Sequence, residues 1–319
     1  MIHLYRNNII AVVVPAYNEQ ELIGETLQSL PPYIDLIVAV NDASQDRTGE
    51  LIEEFSAKDS RIAAIHHEKN RGVGAAICSG YARALEGGAD VVAVMAGDNQ
   101  MEPKYLPSLL DPIIDDRADY TKGNRLYNAE YRQGMSAWRT FGNILLTYLT
   151  KIASGNWHIM DPQNGYTAAS KEVIEHLDVS QIYPRYGYCN SMLVWLNIHG
   201  YRALDVLIPA KYANEKSKIR YSAYIPSVSL LLLNNFLWRM REKYVLLEFH
   251  PLVLFYASGV LFLVIGMVGG LYSLYSSLFD VNILFVKGAL SLVIFTIGIL
   301  FFLFAMFFDM QSNQRINGR

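Results

Sequence analysis

The chain has 319 residues, 52% of them hydrophobic and 18% charged, with a formal charge of −3 and a mean hydropathy of +0.16. Such a balance excludes a disordered chain and a nucleic-acid binder built on a global basic field, and it is more apolar than a soluble domain of this length requires. The two cysteines, Cys78 and Cys189, are too few for a disulfide framework or a thiolate zinc site and fit a reducing compartment.

Residues 1–8 lack the apolar core of a signal peptide, so no export is expected. From about residue 9 to 208, short β-branched runs at 9–14, 36–40, 62–65 and 91–95 alternate with stretches of helical periodicity. That rhythm predicts βαβ units, an α/β fold whose mostly parallel sheet is buried on both faces. Capping-type residues from Ser44 to Thr48 precede one helical stretch, and Pro103 stands where another helix should take its first turn. Segments 135–152 and 225–238 are rich in Leu and aromatics; they predict helices lying at a headgroup boundary or packed on the sheet.

The last third changes character. Residues 251–275 and 288–308 contain no charged side chain, and at about 1.5 Å per residue each can cross roughly 30 Å of hydrocarbon. They predict two transmembrane helices. Segment 211–243 carries seven cations against two acids, and the connector 276–282 has neither Lys nor Arg. With Arg239, Arg241 and Lys243 before the first span and Arg315 and Arg319 after the second, the positive-inside rule places the N-terminal portion and both termini in the cytoplasm. Lys287, near the outer end of the second span, can snorkel.

Three predicted strands end in acidic or amide residues: Pro15-Ala16-Tyr17-Asn18-Glu19, Asn41-Asp42-Ala43-Ser44-Gln45-Asp46 and Ala96-Gly97-Asp98-Asn99-Gln100. One such cluster is explained by helix capping. Three at the carboxyl edge of an open α/β sheet predict a ligand site. No G-x-G-x-x-G turn follows the first strand, which argues against a dinucleotide-dependent hydride transfer.

The first of these segments is similar to the P-x-Y-N-E opening of the inverting glycosyltransferases of family 2, Asn41-Asp42-Ala43-Ser44 to their N/D-D-x-S, and Asn70-Arg71-Gly72-Val73-Gly74 to their N-x-G-x-G turn. The chain resembles that family over its whole α/β portion and, into the two-span C-terminus, its polyprenyl-phosphate glycosyltransferases such as the dolichyl-phosphate mannose synthases. The resemblance implies a GT-A nucleotide-sugar-binding domain, here assigned to 1–220. Interfacial helices over 221–248, a transmembrane hairpin over 249–310 and a cytoplasmic tail over 311–319 complete the expected organisation. The implied activity is inverting transfer from a UDP- or GDP-linked sugar to a polyprenyl phosphate at the cytoplasmic face of the bilayer, with Mg²⁺ or Mn²⁺ as cofactor; no nucleic-acid partner is expected, and a homo-oligomer is left open.

Carried over residue by residue, Asp42 would accept hydrogen bonds from the base or ribose, Pro15, Tyr17 and Glu19 would line the same pocket, and Gly72 and Gly74 would permit close backbone approach. The family's D-x-D-x-Q appears as Ala96, Asp98 and Gln100, leaving Asp98 and Gln100 as metal ligands; this suffices where a substrate diphosphate supplies further oxygens. Gly123-Asn124-Arg125 resembles the family's G-x-R and puts Arg125 near the diphosphate or the transferred sugar. Arg139 and Asn143, one helix face at i, i+4, stand where an R-x-x-x-S pair binds the acceptor phosphate. Asp161 is either the carboxylate nearest the reacting carbon or a turn-former before Pro162. Lys218 resembles part of a loop gripping the diphosphate, or belongs to a solvated charge run. His66, His67 and His158 lack metal-ligand spacing and read as structural or solvated. Two alternatives stay open: a membrane polysaccharide synthase adding sugar to a hydroxyl, whose Q-x-x-R-W is matched imperfectly by Gln181 to Tyr186, and a silent nucleotide-sugar-binding partner, suggested by Ala96.

Overall fold

The β-branched runs become strands within two residues of their expected ends. A computed structural model describes residues 4–126, 137–209, 221–247, 249–278 and 281–317, and divides them between two compact units, Met1–Phe236 and Leu237–Arg319. In chain order the first unit runs β1 (Ile10–Ala16), α1 (Ile23–Ser29), β2 (Leu36–Asn41), α2 (Thr48–Ser56), β3 (Ile62–His66), α3 (Val73–Glu86), β4 (Val91–Val94) and α4 (Leu106–Ile114). It continues through β5 (Tyr120–Asn124), α5 (Ala137–Ser154), β6 (Thr167–Ser170), α6 (Lys171–His176), α7 (Tyr188–Ile198), β7 (Ala203–Leu207) and α8 (Tyr221–Arg239), whose last turn enters the second unit.

The seven strands form one sheet in the order β3-β2-β1-β4-β6-β5-β7. Only β6 runs against its neighbours; the other pairings are parallel. The carboxyl ends of β1, β2, β4 and β5 therefore share one edge with the chain entering β6. The strand order switches direction between β1 and β4, which opens a crevice at that edge. All seven residues of β1 are buried, as a strand covered by helices on both faces must be. On one face Ile10, Val12 and Val14 pack with Ile23, Leu27 and Leu106. On the other, α3 lies so close that a Cβ on Gly80 would collide with Val13.

Helices α5 and α8 form as expected and pack against each other. Ala153, Val228 and Leu232 pack together with Leu146 and Phe236, while Ile144, Leu145, Tyr148 and Leu149 on α5, and Leu230 and Leu233 on α8, stay exposed.

The second unit comprises a π-helix (Met240–Leu247), α9 (Leu252–Ser277) and α10 (Val281–Asn317). Within α9 and α10, Leu252–Ser276 and Val286–Asn313 are long and apolar enough to cross a membrane. Lys287 lays its ammonium 5.1 Å from the centre of the Tyr272 ring. The two helices meet along small residues seven apart, Gly259, Gly266 and Ser273 on one and Ser291, Gly298 and Ala305 on the other. A Cβ on Gly266 would stand 2.6 Å from the Phe295 nitrogen, and one on Gly298 2.7 Å from that of Leu263. Backbones thus touch directly, the close approach that small residues permit between apolar helices.

The cationic run before the first span divides in a way that charge counting cannot register. Arg239 is fully buried and grips Asp309 of α10 with both Nη atoms, at 2.7 and 3.0 Å. Tyr244 donates to the same carboxylate at 2.6 Å, and Lys243, also buried, donates to Asn313 at 2.7 Å. Of the three flanking cations only Arg241 faces outward. The boundary between the units falls inside the segment 221–248, and α10 continues to Asn317.

Candidate active site

The loops after β1 and β2 are laced together. Asn18 N–H donates to the Ser44 hydroxyl and Gln45 N–H to the Asn18 carboxamide; Glu19 N–H donates to Thr48 Oγ1, and Gln20 N–H to Asp46. The polar residues between Ser44 and Thr48 thus serve the neighbouring loop, and the α2 N-cap, Arg47, makes no side-chain cap. Each loop at the crevice also contains one residue with positive φ: Asn18 at 55°, Ala43 at 59° and Asn99 at 53°. Asn tolerates that region; Ala does so at a cost on the order of 1 kcal/mol, a strain retained where loop shape matters. Pro15 is buried at the end of β1, Glu19 is half-buried, and the Tyr17 side chain is exposed at the rim.

Asp42 is 3% exposed. Its oxygens accept the Arg71 and Gly72 N–H groups at 2.8 and 2.7 Å and contact the His67 ring at 2.7 Å, whose other nitrogen reaches Ser79 at 3.0 Å. The carboxylate expected to meet a nucleoside therefore first shapes the turn at residues 70–72. Gly72 has φ +95°, and a Cβ there would stand 2.6 Å from the Pro184 carbonyl. The close approach allowed at Gly72 and Gly74 is made by the protein's own segment 183–185. His66, exposed and bonded to Glu53 and Asn41, and His158, bonded to the Ala203 carbonyl, make contacts within the fold.

After β4, Asp98 and Gln100 are half-buried in one tight turn, with Asp98 Oδ1 accepting the Gln100 N–H at 3.1 Å. Asn99 reaches Glu25 at 2.9 Å, and Ala96 N–H faces the Met101 sulfur at 3.3 Å. No group of three His, Cys, Asp or Glu side chains able to hold a metal occurs among the described residues. One carboxylate and one carboxamide fit a hard divalent ion when diphosphate oxygens complete its shell.

Arg125 and Asp161, expected to act separately, are partners. Arg125 Nε and Nη2 meet the Asp161 oxygens at 2.7 and 3.2 Å, and Arg125 N–H donates to the same group at 3.1 Å. Asp161 is 2% exposed, whereas the Arg125 side chain keeps 30% of its surface open. Beneath them lie Lys122, fully buried and bonded to the Asn164 carbonyl, and Asp205 of β7. Burial pushes Asp205 up to about 6; it also draws Lys151 and His158 below their usual values. Sequence reasoning missed Asp205 and Asn124; a single carboxylate inside the apolar run 203–208 was the available signal. Lys218 lies outside the described residues, as do the side chains of Arg139 and Asn143, whose backbone belongs to α5.

The model of glycosyl transferase family 2 matches residues 11–178. The chain belongs to that family. It is 29% identical over 201 residues to the UDP-N-acetylglucosamine–dolichyl-phosphate N-acetylglucosaminyltransferase of Methanococcus voltae, which covers 59% of this chain and 80% of that protein. To the polyprenol monophosphomannose synthase of Mycolicibacterium smegmatis it is 31% identical over 205 residues, covering 62% and 75%. Glucosyl-3-phosphoglycerate synthase of Mycobacterium tuberculosis, solved with Mn²⁺, uridine diphosphate and phosphoglyceric acid, superposes with a TM-score of 0.55 at 20% identity, covering 73% of this chain and 79% of that one. The fold is GT-A-like, and the chain is similar to glycosyltransferases that act on polyprenyl phosphates.

Proposed function

We propose that the protein transfers a sugar from a nucleoside-diphosphate sugar to a polyprenyl phosphate, with inversion, at the cytoplasmic face of the membrane. The observation that carries this reading is the commitment of both Asp161 oxygens to Arg125. A carboxylate held in a guanidinium fork is a poor general base, and a hydroxyl acceptor would need one. A phosphate monoester, with a second pKa of about 6, is already largely ionised at neutral pH and needs only to be placed. Its oxygen attacks the anomeric carbon as the bond from that carbon to the diphosphate breaks, and the nucleoside diphosphate leaves with the bonding pair. Arg125 meets the developing negative charge, Lys218 pairs with the diphosphate, and Arg139 with Asn143 holds the acceptor phosphate. Pro15, Tyr17, Glu19, Asp42 and Gly72 form the nucleoside end. Asp98 and Gln100 would hold Mg²⁺ or Mn²⁺, which neutralises the diphosphate. The relatives acting on dolichyl and polyprenyl phosphates and the two apolar helices support the lipid acceptor.

The test incubates the full chain in detergent with UDP- and GDP-sugars and a polyprenyl phosphate, following lipid-linked product and its anomeric configuration by NMR. Transfer to a saccharide hydroxyl with none to lipid phosphate, or donor binding without turnover, would replace the proposal by one of its rivals.

A further inference from the structure

The lone carboxylate of β7 touches both halves of the central ion pair through their neighbours in the chain. Asp205 stands opposite Lys122 in the parallel pairing of β5 with β7. Its Oδ2 accepts the Met160 N–H at 2.6 Å and the Asn124 side-chain amide at 3.0 Å. Met160 immediately precedes Asp161, and Asn124 immediately precedes Arg125. The Asn124 carboxamide oxygen in turn accepts the Leu126 N–H at 3.0 Å, so the residues flanking Arg125 hang from one carboxylate. The other oxygen, Oδ1, is closed off from solvent with no hydrogen-bond partner among the described residues. An unsatisfied buried oxygen costs on the order of 1 to 3 kcal/mol, and folds retain such costs where function needs the group.

We propose that Asp205 is a positioning residue for sugar transfer, fixing the Arg125–Asp161 pair through Asn124 and Met160; this rests on the reading that the pair acts at the donor. Burial raises Asp205 to about 6, with Asp161 pushing the same way and the Met160 N–H, Lys122 and Lys151 pulling against it. Protonation weakens the carboxylate as acceptor of both bonds. Transfer is therefore expected to fall as pH drops through about 6.

The full chain in detergent is compared with Asp205→Asn and Asp205→Ala, folding being checked by thermal unfolding. In Asp205→Ala, kcat should fall about 10- to 100-fold, the scale of a misplaced reacting group, with donor KM within about threefold. Asp205→Asn, neutral at every pH and able to accept through its one oxygen, should fall less and show a shallower acid limb near pH 6, the part due to Asp205 being lost and the part due to the acceptor phosphate remaining. Amide hydrogen exchange gives a readout independent of any acceptor: Met160 and Leu126 should exchange faster in Asp205→Ala while β1 to β3 keep their protection. If the wild-type protein makes no lipid-linked sugar, the functional reading falls, and exchange at Met160 and Leu126 alone decides whether Asp205 holds the pair. Unchanged kcat in Asp205→Ala, an acid limb in Asp205→Asn as steep as the wild-type one, or wild-type exchange at both amides would overturn the proposal.

Discussion

In the α/β unit the polar side chains with chemical potential gather in loops at one sheet edge, where Asp98 and Gln100 are half-buried and Arg125 stays partly open. In the helical unit Arg239, Lys243 and Asp309 are no more than 3% exposed and bond within a closed cluster. The first arrangement leaves charge available to a ligand over a scaffold that folds by burying β-branched strands. The second spends charge on joining helices, because apolar spans in lipid gain little hydrophobic drive from one another. Losing a polar group should therefore remove chemistry in one unit and structure in the other.

The largest test of that contrast is Asp309→Ala, which strands a buried guanidinium and should lower the unfolding stability of the helical unit by about 3 to 5 kcal/mol in detergent. Replacing the pair together, Arg239→Met with Asp309→Leu, should recover most of the loss; no recovery would mean that the cluster does more than satisfy its own charges. Asp98→Ala is the converse, expected to cut transfer by about 100- to 1,000-fold with an unchanged melting temperature. Full turnover in excess chelator would remove the metal from the proposal. Gly266→Val forces branched carbon against the Phe295 backbone and should cost about 1 to 3 kcal/mol in the hairpin while donor affinity stays at the wild-type value. Smallest is Ala43→Gly, which relieves a positive φ and should stabilise the α/β unit by up to about 1 kcal/mol. Destabilisation there would show that the strain is offset by contacts of the Ala43 methyl group.

Strand positions and both long apolar helices were legible because periodicity and hydropathy are local signals. So was the crevice, since three strands end in acids and amides. What escaped was pairing across distance. Arg125 and Asp161 are 36 residues apart, and each was assigned its own role because spacing carries no record of which carboxylate a guanidinium meets. Asp205 escaped for a related reason, as one acid in an apolar edge strand reads as solvent-facing until its partners are known. Arg239 and Lys243 were counted with exposed cations because a charge tally presumes solvent access. The sign of their surroundings came from Asp309 and Asn313, 70 residues onward in each case.

That interval of 70 residues also sets an order of events during synthesis. Arg239 and Lys243 leave the ribosome well before Asp309 and Asn313 exist, so the segment first emerges with its cations unneutralised. Only when α10 has been made and has come alongside α9 can the cluster close and withdraw those cations from their surroundings. A nascent chain halted before Asp309 would keep an arginine shaped for burial with no counter-charge, whereas a completed hairpin conceals it.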